Sequence, residues 1–432
     1  LSKAFSIFHF RNSLSEMRLL CGLALQQVKC NTLGRLIKIS ASNFSSDTFY
    51  HKDLEVIKCN SRKPLPPKDE LLGFGKIYTD HMLEIDWTKD GGWNAPVIKP
   101  LKNLSLHPAC KALHYAIEIF EGIKAFRGVD DKIRIFRIDQ NMQRMWTSAE
   151  RSGLPTFDCN ELQKLIVELV RLDKDSVPDM YRNKLFPSVY IRPTMIATDP
   201  ILGITKPQMA KLFVIMSPVD HYYGNREISL LADPKYVRAF PGGCGAYKVA
   251  GNYAPTIMIG AQAEELGCKQ ALWLYGEDEL LTEAGTMNIF VYWINDKNER
   301  ELVTPPLVDG LVLPGVTRDS ILQLAHEWKS EFSNMKISER YVTMDELRRA
   351  CLENRMLEMF GAGTAVVITP IGRILYRKPQ DGAFEQLLIP TAGNQVWGKN
   401  LTRKLHSSLR AIQRGKVERP EWITLVDFME SI

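Results

Sequence analysis

Apolar positions along this 432-residue chain recur with two periods, and the switches between them mark out its elements. In Asn160–Asp173, Leu162, Leu165, Ile166, Leu169 and Val170 fall at i, i+3, i+4, i+7 and i+8, which gathers them into one stripe of a helix. Shorter helical patterns lie at Ala112–Phe120 and Asn141–Glu150. Strand-like composition or alternation covers Gly75–Trp87, which suits a strand pair, and Lys132–Arg137, Ser188–Ile191 and Leu212–Val219. The second half alternates strands (Ala271–Tyr275, Asn288–Ile294, Ala365–Pro370) with helices (Ala254–Leu266, Asp319–Trp328, Thr343–Leu352). Thr343 followed by Glu346 is a capping-box pattern at the last of these. Leu401, Leu405, Leu409 and Ile412 form an apolar stripe on a basic carboxy-terminal helix, and no internal repeat is visible.

The loop composition of Pro218–Arg226 marks an interdomain linker. These elements and the linker suit an α/β chain in two domains. A smaller α+β domain is expected over 61–219, a linker over 220–228, and a larger mixed α/β domain over 229–432.

Charge changes this picture at the amino terminus. Residues 1–68 hold 11 of the 55 basic and 4 of the 50 acidic residues, leaving 44 basic against 46 acidic for the rest. The overall +5 is therefore a property of the leader, and no nucleic-acid-binding core is indicated. Residues 1–45 carry Lys3, Arg11, Arg18, Lys29, Arg35 and Lys38 against Glu16 alone, with serines and short apolar runs between. That composition suits a mitochondrial transit peptide, so residues 1–60 are expected to be a targeting leader. No apolar run approaches the ~20 residues of a membrane-spanning helix. Eight cysteines without C-x-x-C pairing suggest free thiols, and the scattered histidines support no metal site.

Candidate chemistry centres on Gly242–Pro255, Gly-Gly-Cys-Gly-Ala-Tyr-Lys-Val-Ala-Gly-Asn-Tyr-Ala-Pro. No acidic residue lies within ten positions of Lys248. A lysine in such an apolar setting loses hydration, which disfavours its ammonium form and makes it a better nucleophile. Three further stretches look like the fittings of a pyridoxal phosphate site. Glu283, in Leu281–Asn288 before an apolar strand, would pair with a pyridine nitrogen and keep it protonated. Leu313–Arg318 (Leu-Pro-Gly-Val-Thr-Arg) enters a helix whose first amides would hold a phosphate. Gly361–Ala365 (Gly-Ala-Gly-Thr-Ala) would let a ligand approach closely, with Thr364 offering an amide and a hydroxyl. Arg144 would add a planar fork of donors.

Taken together, these stretches closely resemble the branched-chain amino acid aminotransferases of the fold-type IV pyridoxal phosphate enzymes. The resemblance runs over about residues 73–425. It is carried by Tyr78–Met82, Leu113–Tyr115, Phe120–Arg127 (Phe-Glu-Gly-Ile-Lys-Ala-Phe-Arg), Tyr190–Pro193, Tyr247–Tyr253, Thr282–Asn288, Thr304–Leu307, Leu313–Arg318 and Gly361–Ala365. It implies transamination of leucine, isoleucine and valine with 2-oxoglutarate, using pyridoxal 5'-phosphate, by a homodimer. Lys248 matches the family's Schiff-base lysine, Glu283 the carboxylate at the pyridine nitrogen, and Tyr253 the hydroxyl beside the phenolic oxygen. Arg144, Val316, Thr317 and Thr364 match the phosphate cradle. Tyr115, with amides near Thr364 and Ala365, matches the substrate-carboxylate grip. Tyr78, Phe120, Tyr190 and Thr286 match the side-chain pocket with Arg192 nearby, and Ile204 a position reaching the neighbouring subunit's pocket.

The sequence departs from its relatives at Ala246 and Ala254, where larger or different small residues are frequent. It also departs at Val366 and Thr369, where many eukaryotic members carry a Cys-x-x-Cys pair. A D-amino acid aminotransferase or aminodeoxychorismate lyase would share the lysine and the cradle, but Tyr78, Phe120 and Tyr190 argue against both. A non-catalytic dimeric scaffold would not need Lys248, Glu283, Arg144 and Thr364 together.

Overall fold

The computed structural model describes residues 47–179, 187–220, 227–391 and 401–426. The leader before residue 47 and most of the expected linker, 221–226, lie outside the described residues. Among those described, the strands form two mixed sheets of ten and nine strands.

The first sheet is built around the long antiparallel pair Ser188–Ala197 and Met209–Val219, each longer than the sequence pattern suggests. His81–Thr88 pairs with Met209–Val219 on one side. Ile123–Arg127, then Ile133–Phe136, extend the sheet on the other. Helices Ile138–Arg151 and Cys159–Leu172 cover it. The stripe expected on the second is wholly buried, so Leu162, Leu165, Ile166, Leu169 and Val170 join Ile123, Ile135, Met142 and Ile191 in one core. Asp158 caps that helix by accepting from the amides of Asn160 and Glu161.

In the second sheet, six strands close on themselves. Leu280–Ala284 pairs both with Gln270–Tyr275 and with Met287–Ile294, and the Glu283–Asn288 pair completes the ring. Helix Met344–Leu352 packs on this sheet, begun by the expected capping box of Thr343 and Glu346. A third core joins the two sheets: Phe126 and Phe136 from the first meet Phe290 and Phe360 from the second, with Leu401, Leu405, Leu409 and Ile412 of helix Leu401–Gln413 between them.

Three expectations need correction. The helix expected over Ala112–Phe120 ends at Tyr115, because Ala116 turns left-handed at φ +49°; Glu118–Phe120 is instead a strand on Ser188–Ala197. The carboxy-terminal part does not stay with the second sheet, since Ile423–Val426 returns to pair with Ile133–Phe136 of the first. The leader boundary at 60 is too late. Phe49 is buried edge-on against Trp93 and stacked on Phe157, and Glu55–Val56 pairs with Val97–Ile98. Further on, the Cys59 amide donates to His81 Nε2 (2.9 Å), whose Nδ1–H donates to the buried Asp173 carboxylate (2.6 Å). No helix among the described residues is long and apolar enough to cross a membrane.

Candidate active site

A cavity of about 420 Å³ opens between the two sheets. The glycine-rich stretch brings Lys248 to it. Gly242 sits at φ +80°, and a Cβ on Gly245 would fall 2.5 Å from the Gly310 carbonyl oxygen, so both positions require glycine. Asn252 Nδ2 donates to the carbonyls of Cys244 (2.8 Å) and Tyr247 (3.0 Å), tying the loop to itself. The Lys248 backbone is held from outside: its N–H donates to Ser148 Oγ (3.0 Å), and its carbonyl accepts from Phe120 N–H (3.1 Å). The side chain then has one way to go, into the cavity.

There Lys248 Nζ lies 3.2 Å from Tyr253 Oη and 4.9 Å from the centroid of the Phe120 ring. Burial, reinforced by the nearby Arg144 guanidinium and opposed by Glu121, lowers the Lys248 ammonium to about 8. Burial pushes the Tyr253 phenol up to about 12. An amine of this kind is deprotonated readily enough to attack a carbonyl, beside a phenol that stays neutral.

Glu283 lies on the closing strand of the ring, buried. Its Oε1 accepts from Leu313 N–H (2.9 Å) and Asn288 Nδ2 (3.2 Å), and Oε2 from Arg238 Nε (2.8 Å). Burial pushes this carboxyl up, while Arg238 and the Leu313 amide pull it down. A buried carboxylate held this way can accept a hydrogen bond from a protonated ring nitrogen.

Helix Val316–Glu327, three residues longer at its start than expected, begins at Gly315 with no side-chain cap, and Val316 and Thr317 line the cavity. Among the described residues no side chain caps its first amides, which at a helix start are free to bind an anion. Gly315 leaves no room for a side chain, since a Cβ there would fall 1.9 Å from Asn288 Oδ1.

Arg144 lines the same end but is not a free charge. Its Nε (2.7 Å) and Nη2 (2.8 Å) clamp the fully buried Glu121 carboxylate, and Nη1 donates to the Pro314 carbonyl (2.9 Å). Asn141 Nδ2 and the Gly122 amide complete the Glu121 shell. Three of the five guanidinium N–H groups are thus engaged, and Glu121 offsets the charge. Across the cavity, strand Met356–Gly363 turns through Thr364–Val366 into Val367–Arg377. Lys124 Nζ donates to the Ala365 carbonyl (2.8 Å). Val367 is held at φ +62°, a strained setting for a β-branched residue.

Lys248, Arg144, Tyr253, Glu283, Val316, Thr317, Thr364, Ala365, Phe120, Tyr190, Arg192 and Thr286 all line this cavity. Tyr78, Tyr115 and Ile204 do not. Tyr78 is exposed, just before the point where the Thr79 amide donates to the Met216 carbonyl (3.0 Å). The aromatic wall position is filled instead by Phe74, edge-on to Tyr190 at 4.9 Å. Tyr115 donates to the Leu202 carbonyl, beside the exposed Leu113, Ile201, Leu202 and Ile204. Glu121, Arg238, Asn288, Phe74 and Glu118 were not singled out from the sequence. Only Glu121 carried a signal, as the single acid inside Phe-Glu-Gly-Ile-Lys-Ala-Phe-Arg.

This donor set fits pyridoxal phosphate: one reactive amine, a carboxyl for a ring nitrogen, and an uncapped helix start with Thr364 and two spare Arg144 N–H groups for a phosphate. Residues 118–374 match the amino-transferase class IV family. The chain belongs to that family. This aminotransferase is 50% identical over 383 residues to the cytosolic branched-chain-amino-acid aminotransferase of Ovis aries, covering 88% of this chain and 94% of the other. It is 45% identical over 383 residues to the mitochondrial one of Bos taurus, covering 88% and 93%. Among solved structures, the branched-chain aminotransferase of Thermoproteus uzoniensis superposes with a TM-score of 0.60 at 25% identity, covering 79% of this chain and 99% of the other. The fold is thus the expected fold-type IV α/β arrangement.

Proposed function

We propose that this aminotransferase moves the amino group between leucine, isoleucine or valine and 2-oxoglutarate, with pyridoxal 5'-phosphate held in the cavity. The observation that carries the reading is the shared cavity of Lys248, Tyr253 and Glu283, with the lysine lowered to about 8. When bound, the cofactor supplies an electron sink for negative charge at the substrate α-carbon. Lys248 holds and moves the proton at that carbon, since its amine is the titrating base within reach. Tyr253 donates to an oxygen beside Nζ. Glu283, anchored by Arg238, keeps a ring nitrogen protonated. The amides of Val316 and Thr317, with Thr364 and Arg144, bind phosphate.

The Phe74, Phe120 and Tyr190 rings, with Thr286, form a largely apolar wall suited to a branched aliphatic side chain. Such a wall separates neighbours by only about 1–3 kcal/mol per methylene. The amides near Ala365 suit the common carboxylate. Arg192 suits the second carboxylate of 2-oxoglutarate: its guanidinium lies over Phe120 at 4.5 Å, its buried Nε has no hydrogen-bond partner, and no carboxylate pairs with it among the described residues. A homodimer would cover the apolar Leu113–Ile204 surface, placing Tyr115 and Ile204 at a neighbour's site. The basic leader supports import into the mitochondrial matrix. Turnover of leucine with 2-oxoglutarate to glutamate tests the activity, and Lys248→Ala should abolish it. Equal turnover by that variant would refute the assignment.

A further inference from the structure

Glu118 also lines the cavity, although nothing above gives it a role. It stands two residues before Phe120 on the strand Glu118–Phe120, so both side chains share one face while Ile119 points into the core. Its carboxylate is half-buried and forms no hydrogen bond or ion pair among the described residues. On the far side of Phe120 lies Arg192, likewise without a carboxylate partner. One wall of the substrate cavity therefore holds an unpaired anion and an unpaired cation with an aromatic ring between them.

We propose that Glu118 is a specificity-determining residue that opposes Arg192 and sets the balance between branched-chain and dicarboxylate substrates. The inference rests on the transamination reading above. With an aliphatic side chain in place, Glu118 compensates the Arg192 charge and the wall is neutral overall. With 2-oxoglutarate in place, the second carboxylate takes Arg192 and meets Glu118 as a like charge. Glu118 then takes up one proton from solvent, and binding of the dicarboxylate is linked to pH.

Titratable groups face this strand from each element packed on it. Strand Ser188–Ala197 brings Arg192 and Tyr190, the lysine loop brings Lys248 and Tyr253, and helix Ile138–Arg151 brings Arg144 with its partner Glu121. Burial already raises the Glu118 carboxyl and Arg192 holds it down, so losing Arg192 to a ligand raises it further. Lys248, Tyr253 and Arg144 act on both kinds of acceptor, so their titration cancels in a ratio of the two.

The test uses holoenzyme in its amino-loaded form, with 2-oxoglutarate and 4-methyl-2-oxopentanoate as acceptors between weakly acidic and weakly basic pH. The ratio of their KM values, dicarboxylate over branched, should climb with pH in the wild type, by up to about tenfold per unit where one proton is linked. In Glu118→Gln the ratio should fall by about fivefold or more at the basic end and lose its slope, and Glu118→Asp should restore the slope. A ratio that does not fall, or a slope that survives in Glu118→Gln, overturns the proposal. If that variant does not fold, a flat ratio in the wild type overturns it alone. Failure of the transamination reading would look different, as absent turnover with either acceptor.

Discussion

Replacing Glu121 by Gln tests whether the Arg144 end of the cavity is built as described. Four N–H donors converge on the Glu121 carboxylate: Arg144 Nε at 2.7 Å, Arg144 Nη2 at 2.8 Å, Asn141 Nδ2 at 2.8 Å and Gly122 N at 3.0 Å. A glutamine keeps one acceptor oxygen and turns an NH2 group towards the remaining donors. At least one buried donor is then unsatisfied, at about 1–3 kcal/mol each, and the Arg144 charge loses its partner. Breaking a buried pair on one side costs about 3–5 kcal/mol, and the two routes meet at about 3 kcal/mol. Urea unfolding of the apo-protein should show that loss. A second effect has the opposite sense: an uncompensated Arg144 attracts phosphate more strongly, so pyridoxal phosphate should bind tighter to whatever variant remains folded. Glu121 also raises Lys248, so its removal should move the lysine titration to lower pH. A stability loss below about 1 kcal/mol, the size of an exposed pair, would refute the reasoning.

In apo wild-type protein, amine labelling of Lys248 should rise through about pH 8; a midpoint near that of an ordinary lysine would show that burial does not act on it. A chain starting at residue 47 should fold as well as the full chain. One starting at 61 loses Phe49 and should be less stable by roughly 3–5 kcal/mol, read as an earlier thermal transition; equal transitions would contradict the packing of Phe49 on Trp93 and Phe157. Val366 and Thr369 offer no thiols beside the Thr364 turn, so low peroxide should cause no loss of activity that dithiothreitol reverses. A reversible loss persisting in Cys244→Ser would show that another thiol pair acts.

What was legible in the sequence is what depends on local pattern. The stripe of Cys159–Leu172, the capping box at Thr343 and the lysine loop each declare themselves within a dozen residues. The stretches Leu313–Arg318 and Gly361–Ala365 could be picked out because glycine spacing reports where the backbone turns tightly, and residues of both line the cavity. Other features depend on partners far along the chain. Ile423–Val426 joins Ile133–Phe136 across nearly the whole fold, and no local pattern names its partner. The left-handed turn at Ala116 ends a helical pattern that is continuous in apolar spacing, and Glu118–Phe120 then pairs as a strand with Ser188–Ala197. The clamp of Arg144 on Glu121 was not legible, because Glu121, 23 positions before it, becomes its neighbour only when the strand and helix pack.

The central claim is that Lys248, in this cavity, handles pyridoxal phosphate for branched-chain transamination. The most direct measurement is the visible absorbance of the purified full-length protein, recorded before and after leucine and then 2-oxoglutarate. The account predicts a cofactor band that leucine bleaches and 2-oxoglutarate restores, with borohydride reduction fixing the cofactor on the Lys248 peptide. A band indifferent to leucine, or a label on another lysine, would contradict it.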